Sequence, residues 1–268
     1  MGPLLLVLCI SAVAAAFAWI ASLISHEHSW VDRLWSVLPV VYVWLFALAA
    51  GLGDTRLTVM AILVTAWGLR LTYNFARKGG YRGVEDYRWA ILRERMSEPA
   101  FAVFNLLFIV VAQNAVLVLI ALPAWTAYRH PSPFGAYDIV LTVLFVGMLV
   151  GETVADQQQW AFQLRKRAEL EAGRRPRRQF LDTGLFRCSR HPNYFFELAQ
   201  WWIVFLFGAV AADLRVEWTL IGPVLLTVLF VGSTRFTEAI SAERYRDYAD
   251  YQERTSMIVP WWPRKQRG

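Results

Sequence analysis

The chain has 268 residues, of which 57% are hydrophobic and 15% are aromatic, and its mean hydropathy is +0.37. Soluble domains average about half apolar residues, so this composition argues against a soluble protein. The net charge of +6 does not predict a nucleic-acid partner, because Lys and Arg are retained on the cytoplasmic side when a membrane protein inserts. The two cysteines, Cys9 and Cys188, lie in an apolar run and in a basic loop, so we expect no disulfide.

Seven segments are long and apolar enough to cross a bilayer, for which a helix needs about 20 residues. In chain order they are residues 3–24, 34–53, 57–75, 100–127, 139–162, 194–212 and 218–234. Ionisable residues occur within three of them: Arg70 in the third, Glu152 and Asp156 in the fifth, and Glu197 in the sixth. The sequence therefore predicts an all-α integral membrane bundle of seven transmembrane helices, formed by residues 1–268 as a single domain.

The positive charges support this number of spans. With seven crossings, 23 of the 27 Lys and Arg residues fall on one side of the membrane, and only Arg56, Arg129 and Arg215 fall on the other, with Arg70 inside a span. A bias of this kind marks the cytoplasmic side. We therefore expect the N-terminus outside and the C-terminus in the cytoplasm.

Three segments on the basic side are more than simple connectors. Residues 78–98 predict a glycine-broken turn followed by a short amphipathic helix. Residues 165–189 include the run GRRPRR, which Pro176 should keep out of a helix. After Thr234 the run RFTEAISAERYRDYADYQERTS has helical spacing and mixed charge. We interpret it as a short cytoplasmic C-terminal helix that continues the seventh span.

Polar side chains form stripes on three of the predicted spans. Ionisable groups inside a bilayer are costly, so such residues are candidates for function. The stripes are Arg70, Tyr73, Asn74 and Arg77 on the third span, Glu152, Asp156, Gln159 and Gln163 on the fifth, and Asn193, Glu197, Gln200 and Trp201 on the sixth. We predict that they enclose a cavity open to the cytoplasm. The alternative is that they only join helices through interhelical hydrogen bonds and ion pairs.

The segment GLFRCSRHPNY, residues 184–194, combines a helix start with positive charge. Pro192 suits the first turn of a helix. The free N–H groups of that turn, together with Arg187 and Arg190, favour an anion or a carbonyl oxygen nearby. Asn193 adds an amide that both donates and accepts hydrogen bonds. The alternative is an ordinary helix start with arginines that reach the lipid headgroups.

The run SRHPNYFFELAQWW, preceded by LDTGLFRC and followed by DYADYQERTSMIVPWWP, resembles the steroid 5-alpha-reductase superfamily. The resemblance is closest to its bacterial steroid 5-alpha-reductase-like branch, a domain of unknown function. It covers residues 156–263, the reductase-like C-terminal region, and thins towards VDRLW and WGLRLTYNFARKGG nearer the N-terminus. The RHPxY motif alone is less specific, because isoprenylcysteine carboxyl methyltransferases share it.

The resemblance implies an enzyme of a bacterial plasma membrane that uses NADPH to reduce a conjugated carbon–carbon double bond in a lipophilic substrate (steroid-like, prenyl or enoyl). It implies that Asn193 holds the nicotinamide amide, with Tyr194 and Glu197 beside it. The other implied cofactor contacts are Asp156, Arg187, Arg190, His191, Arg235, Tyr245 and Tyr248. Arginine forks suit the phosphates of NADPH. No GxGxxG motif occurs in the chain, so a Rossmann site is not expected.

The catalytic half of the family pattern is altered in this chain. The steroid reductases pair a Glu on the second helix with a Tyr on the third. Here residues 34–53 contain no acid, and Trp67 stands about where the tyrosine would fall. We predict Tyr73, Asp32 and Glu197 as catalytic residues, with Asp32 either the acidic partner of the proton donor or only a helix cap.

Two other functions stay open. An S-adenosylmethionine-dependent membrane methyltransferase of the isoprenylcysteine type would use Asn193 and the RHP turn for the amino-acid carboxylate, and it would need fewer basic residues. A transporter or a non-catalytic scaffold is the second alternative, although transporters usually show duplicated halves with broken helices. The four histidines are scattered along the chain, so we expect no metal site. The expected partners are a lipophilic small molecule and membrane lipid.

Overall fold

The computed structural model describes residues 1–215 and 217–263, and its regular elements there are all helical. Seven helices in these ranges are long and apolar enough to cross a membrane, which confirms the predicted multi-pass, all-α architecture. They are Pro3–Ser25, Trp30–Ala49, Thr55–Arg77, Glu98–Arg129, Ala136–Glu171, Pro192–Ala211 and Trp218–Arg244. Each contains most of one predicted span.

Several spans consist of more than one helical element. The α-helices are α1 (Pro3–Ser25), α2 (Trp30–Trp35), α3 (Leu38–Ala49), α4 (Thr55–Arg77), α5 (Tyr87–Arg95), α6 (Glu98–Phe104), α7 (Gln113–Arg129), α8 (Ala136–Glu171), α9 (Pro192–Ala211), α10 (Ile221–Arg244) and α11 (Tyr248–Arg254). A π-helical segment, Asn105–Ala112, joins α6 to α7. The second span is interrupted between α2 and α3, because Pro39 has no N–H to donate to the carbonyl of Trp35, the last residue of α2.

The described chain divides into two compact units. The first comprises Met1–Leu144 and Trp201–Leu226, and the second comprises Phe145–Gln200 and the residues from Thr227 onward. Helices α8, α9 and α10 each contribute residues to both units.

Close backbone contacts order the first unit around α7. Pro123 lies inside α7 and cannot donate a hydrogen bond to Leu119 four residues earlier. Gly222 packs directly against the carbonyl oxygen of Leu119, and Gly208 packs against that of Pro123. A Cβ at either glycine would overlap these oxygens. The small residues therefore let the last two spans approach the α7 backbone.

The segment that follows α4 folds as predicted, with a glycine turn and then α5. Asp86 caps α5 by accepting a hydrogen bond from the backbone N–H of Arg88 at 2.9 Å. Glu85 accepts from the backbone N–H of His28 at 2.8 Å and from Arg93 Nη2 at 2.7 Å. The bond from His28 attaches the segment to the region just before α2.

The second unit confirms that residues 174–183 are not helical and that the last span continues as a helix past Thr234, and it corrects one part of the prediction for the C-terminus. Helix α10 extends to Arg244, but residues 245–247 form a turn, so α11 is a separate helix rather than a continuation of the seventh span. The turn allows Tyr248 and Tyr251 to pack on the ring of Phe180, with ring centroids 5.1 and 5.3 Å apart. Burial of these aromatic rings offsets the loss of helical hydrogen bonds at the turn.

Candidate functional site

The polar stripes of the fifth and sixth spans meet inside the second unit. Gln200 Nε2 donates to Glu152 Oε2 at 2.7 Å, and both side chains are about 1% exposed. Asp156 and Glu197, one turn further along their helices, are also buried. Since buried polar groups need partners, the hydrogen bond between Gln200 and Glu152 joins α8 to α9.

The stripe of the third span belongs to the first unit. Tyr73 is 66% exposed, and the guanidinium carbon of Arg77 lies 5.4 Å from its ring centroid. Arg77 Nη2 also donates to Asn74 Oδ1 at 2.7 Å. Tyr73 is thus an accessible phenol beside a cation, and its role as proton donor stays a prediction.

Asp32 is not the cap of α2, because Ser29 occupies the N-cap position. Asp32 lies in the first turn, and its Oδ2 accepts a hydrogen bond from the indole Nε1 of Trp89 on α5 at 3.1 Å. Asp32 is therefore not the N-cap residue itself, and its role as an acidic partner stays a prediction.

The turn that precedes α9 is bonded to the C-terminal segment, which we define as residues 255–262. The bonds run from Arg190 N to Ser256 O (2.9 Å), from His191 N to Met257 O (3.1 Å), from Trp261 N to Cys188 O (2.8 Å) and from Ser189 Oγ to Ile258 O (2.7 Å). This pairing of two loops far apart in sequence fixes the backbone directly before Asn193.

Arg190 is engaged within the protein. Its Nε and Nη2 donate to the two carboxylate oxygens of Glu238 at 2.6 and 2.9 Å. Its Nη1 donates to the backbone carbonyls of Gln252 (2.8 Å) and Thr255. The side chains of Arg190 and Glu238 are only 9% and 6% exposed.

The other predicted residues near α9 differ in exposure. The ring of His191 stacks on Tyr194 with centroids 5.5 Å apart, and Tyr194 packs on Phe230. Asn193 is half-buried in the first turn of α9, whereas Arg187 and Arg235 are exposed. All of them belong to the second unit.

A basic cavity of about 760 Å³ lies in the second unit. Its walls come from the end of α8, the loop that follows it, and the turn between α10 and α11. The lining residues are Lys166, Leu170, Arg175, Arg177, Arg178, Gln179, Phe180, Asp182, Arg244, Tyr245, Arg246, Asp247, Asp250 and Arg254. Seven of these side chains are basic and three are acidic, so the basic cavity is positively charged.

Some charges of the basic cavity are already paired. Arg178 forms an ion pair with Asp182, and Lys166 Nζ donates to the carbonyl of Gln179 and to the hydroxyl of Tyr245. The guanidinium groups of Arg175, Arg177 and Arg246 have no acceptor among the described residues. Guanidinium groups bind carboxylate or phosphate through two parallel hydrogen bonds, so these three are suited to an anionic ligand.

Aromatic rings form one side of the basic cavity. Phe180 stacks on Tyr251, with their planes 22° apart, and Tyr245 lies 6.1 Å from Phe180. Lys166 Nζ is 4.8 Å from the Tyr245 ring centroid. Tyr251 is buried and donates to the carbonyl of Phe186 at 2.5 Å, and burial raises the pKa of Tyr251 above its ordinary value of 10.0. The rings therefore give the cavity a fixed apolar wall.

Comparison with known proteins identifies the family. A family model described as "Protein of unknown function (DUF1295)" matches residues 18–255. The chain belongs to the DUF1295 family. It is 37% identical over 275 residues to "Uncharacterized protein C594.04c" of Schizosaccharomyces pombe, a match that covers 97% of this chain and 80% of the relative. No solved structure matches the chain. The DUF1295 match is consistent with the steroid 5-alpha-reductase-like resemblance, but it does not name an activity.

In this DUF1295 protein the basic cavity is lined mainly by residues that the sequence analysis did not predict as site residues. Among the predicted cofactor residues, Tyr245 lines it. Arg190 instead borders a smaller cavity of about 340 Å³, next to Trp261 and Trp262. In the sequence, the basic cavity was indicated only by the run GRRPRR and by the basic residues between 244 and 254. Positive-inside topology explained those charges equally well, so sequence alone did not assign them to a site.

Proposed function

We propose that this protein is a membrane-embedded, NADPH-dependent reductase that saturates a conjugated carbon–carbon double bond in a lipophilic substrate. The observation that carries the proposal is the basic cavity, with its three guanidinium groups that lack an acceptor among the described residues and its aromatic wall. Family membership is compatible with the proposal and leaves the reaction open.

The lining of the basic cavity fits a phosphate-rich dinucleotide. NADPH carries a pyrophosphate and a 2′-phosphate, and each hydrogen bond to a charged group contributes about 1.5–3 kcal/mol. Arg175, Arg177 and Arg246 would hold these phosphates, and the rings of Phe180 and Tyr245 offer an apolar surface for the adenine. A volume of about 760 Å³ lies within the range of small-molecule sites, about 300–1,000 Å³.

The same lining disfavours S-adenosylmethionine. That cofactor has no phosphate, and its sulfonium carries a positive charge that the excess of basic side chains would repel. The methyltransferase alternative therefore requires the ligand to bind elsewhere. The charge of the basic cavity supports the reductase over this alternative.

The remaining predicted residues have defined tasks in the proposal. Asn193, in the first turn of α9, would orient the nicotinamide amide, with Tyr194 and Glu197 beside it. When bound, NADPH supplies a hydride for the β-carbon of the substrate. Tyr73 and Asp32, in the first unit, stay the predicted proton donor and its acidic partner, since negative charge develops on a substrate carbonyl oxygen during such a reduction.

Ligand titration of the purified protein in lipid nanodiscs tests the proposal. We expect NADPH to raise the melting temperature, and S-adenosylmethionine to leave it unchanged. The triple variant Arg175→Gln/Arg177→Gln/Arg246→Gln should weaken NADPH binding at least tenfold. Arg174→Gln is the matched control, because Arg174 belongs to the same basic run but does not line the basic cavity.

Two outcomes would overturn the proposal. One is stabilisation by S-adenosylmethionine without stabilisation by NADPH. The other is unchanged NADPH affinity in the triple variant. Nanodiscs of phosphatidylcholine and of phosphatidylglycerol separate a nucleotide site from a lipid-headgroup site. If phosphatidylglycerol displaces NADPH from the wild type and loses this effect in the triple variant, the basic cavity is a lipid site.

A further inference from the structure

Glu238, on α10, gathers four hydrogen bonds from two separate parts of the second unit. The donors are Arg190 Nε (2.6 Å), Arg190 Nη2 (2.9 Å), His191 Nε2 (3.1 Å) and Gln252 Nε2 (3.0 Å). Arg190 and His191 belong to the turn before α9, and Gln252 belongs to α11. One buried carboxylate therefore joins α10 to the start of α9 and to the C-terminal helix.

We propose that Glu238 is a positioning residue for the candidate cofactor site, and that Arg190 acts as a clamp through Glu238 rather than as a phosphate ligand. The inference rests on the proposed function in one respect, because the positioned group, Asn193, is the one assigned to the nicotinamide. The clamp itself consists of contacts within the second unit and does not depend on the ligand.

Nearly all the N–H donors of the Arg190 guanidinium already have an acceptor. A guanidinium has five N–H donors, and the two bonds to Glu238 and the two bonds to backbone carbonyls account for most of them. A buried guanidinium is stable only with its partners in place. To bind a phosphate, Arg190 would have to leave Glu238 buried without its counter-charge. Arg175, Arg177 and Arg246 bear no such cost, since they have no acceptor among the described residues.

Glu238 reaches Asn193 through a short, rigid chain of contacts. It holds the ring of His191, and that ring stacks on Tyr194. His191 and Tyr194 lie two positions before and one position after Asn193. The backbone bonds from Arg190 and His191 to the C-terminal segment restrain the same turn. Loss of the Glu238 carboxylate should let the turn rotate, and with it the amide of Asn193.

If Glu238 positions Asn193, its loss should weaken the binding of NADPH but not the binding of the adenosine half of the dinucleotide alone. NADPH engages the basic cavity and the start of α9, whereas adenosine 2′,5′-bisphosphate engages the basic cavity alone. In the wild type we expect NADPH to bind at least tenfold more tightly than the bisphosphate. In Glu238→Gln this advantage should fall to about twofold or less, with the affinity for the bisphosphate unchanged. A generally destabilised protein would lose affinity for both.

Cys188 provides a readout that needs no ligand. Its carbonyl accepts hydrogen bonds from Trp261 N and from Ser256 Oγ, and its side chain is half-buried in the clamped turn. In a Cys9→Ser background, maleimide labels Cys188 alone. We expect Glu238→Gln and Arg190→Lys to raise the labelling rate severalfold. The charge-reversed double variant Arg190→Glu/Glu238→Arg should recover part of the protection.

These measurements separate failure of the clamp from failure of the proposed function. If the wild type does not bind NADPH, labelling of Cys188 still tests the clamp. If Arg190→Lys leaves labelling unchanged but weakens the bisphosphate, Arg190 is a phosphate ligand and the inference is wrong. The inference is also wrong if Glu238→Gln keeps both the NADPH advantage and the protection of Cys188. Should Glu238→Gln not fold, His191→Gln removes one bond, spares the ion pair, and should lower the NADPH advantage about threefold.

Discussion

The guanidinium of Arg56 and the carboxylate of Asp138 form a bidentate ion pair inside the first unit, at 2.6 and 2.9 Å. Arg56 is 2% exposed and Asp138 is fully buried. Arg56 Nη1 also donates to Ser132 Oγ at 2.6 Å and Nη2 to the carbonyl of Pro133 at 3.0 Å. The pair therefore fixes the start of α4 to the start of α8 and to the loop before it.

Removal of one partner should be costly because it leaves a buried charge without compensation. We expect Asp138→Ala to lower the free energy of unfolding by about 3–5 kcal/mol, measured by denaturant titration in detergent micelles. The double variant Arg56→Met/Asp138→Leu should be less destabilised than Asp138→Ala, since it buries no unpaired charge. Arg129→Gln is the control, because Arg129 is exposed. An unchanged Asp138→Ala protein would mean that the pair contributes nothing to stability.

The glycine contacts of α7 predict a large effect from one added methyl group. Gly222→Ala places a Cβ against the carbonyl oxygen of Leu119, and we expect a loss of about 1–3 kcal/mol. Gly232→Ala, on the same helix, has open space around its Cβ and should be neutral or slightly stabilising. Melting temperatures of the two variants check the comparison, and equal values would contradict the close approach.

The buried phenol of Tyr251 predicts that the stability of the folded protein depends on pH. Its pKa is raised by burial in the folded protein, so the unfolded chain loses the phenolic proton first as the pH increases past its ordinary value of 10.0. The stability contributed by the neutral phenol is complete below pH 10 and declines above it. Tyr251→Phe loses the bond to Phe186, about 1 kcal/mol at pH 8, and should show a shallower decline between pH 9 and 11. Tyr137→Phe, at an exposed position, should follow the wild-type curve.

The predicted proton donors can be tested separately from cofactor binding. If Tyr73 donates the proton with Asp32 as its partner, Tyr73→Phe and Asp32→Asn should each lower turnover at least about a hundredfold and leave NADPH affinity unchanged. A screen of steroid, prenyl and enoyl substrates supplies the assay. Trp89→Phe removes the hydrogen bond to Asp32 and should have a smaller effect. Full turnover in both principal variants would show that the proton comes from elsewhere.

The orientation of the protein in the membrane stays a prediction that side-specific labelling can check. In a variant without Cys9 and Cys188, single cysteines introduced by Arg82→Cys and Arg174→Cys should react from the same side of the membrane. Arg129→Cys should react from the other side. Labelling of positions 82 and 174 from opposite sides would contradict the seven-span topology.

The sequence by itself determined the membrane fold. Hydrocarbon thickness sets the length of a crossing helix, and insertion retains basic residues on one side, so apolar runs and charge counts were sufficient for seven helices. Local rules also placed Pro192 at the start of α9 and the glycine turn before α5. They failed at residues 245–247, where packing of Tyr248 and Tyr251 on Phe180 outweighs helical spacing.

Only the tertiary structure decided which charges are committed and which are available. The resemblance implied a cofactor contact at Arg190, and the structure bonds its guanidinium to Glu238, 48 positions away. The sequence placed Arg56 in a loop between two spans, whereas the structure buries it in an ion pair with Asp138, 82 positions away. The basic cavity joins residues 166–182 to residues 244–254. Such pairings depend on how helices pack in space, and the periodicity and composition of one segment carry no information about the partner that faces it.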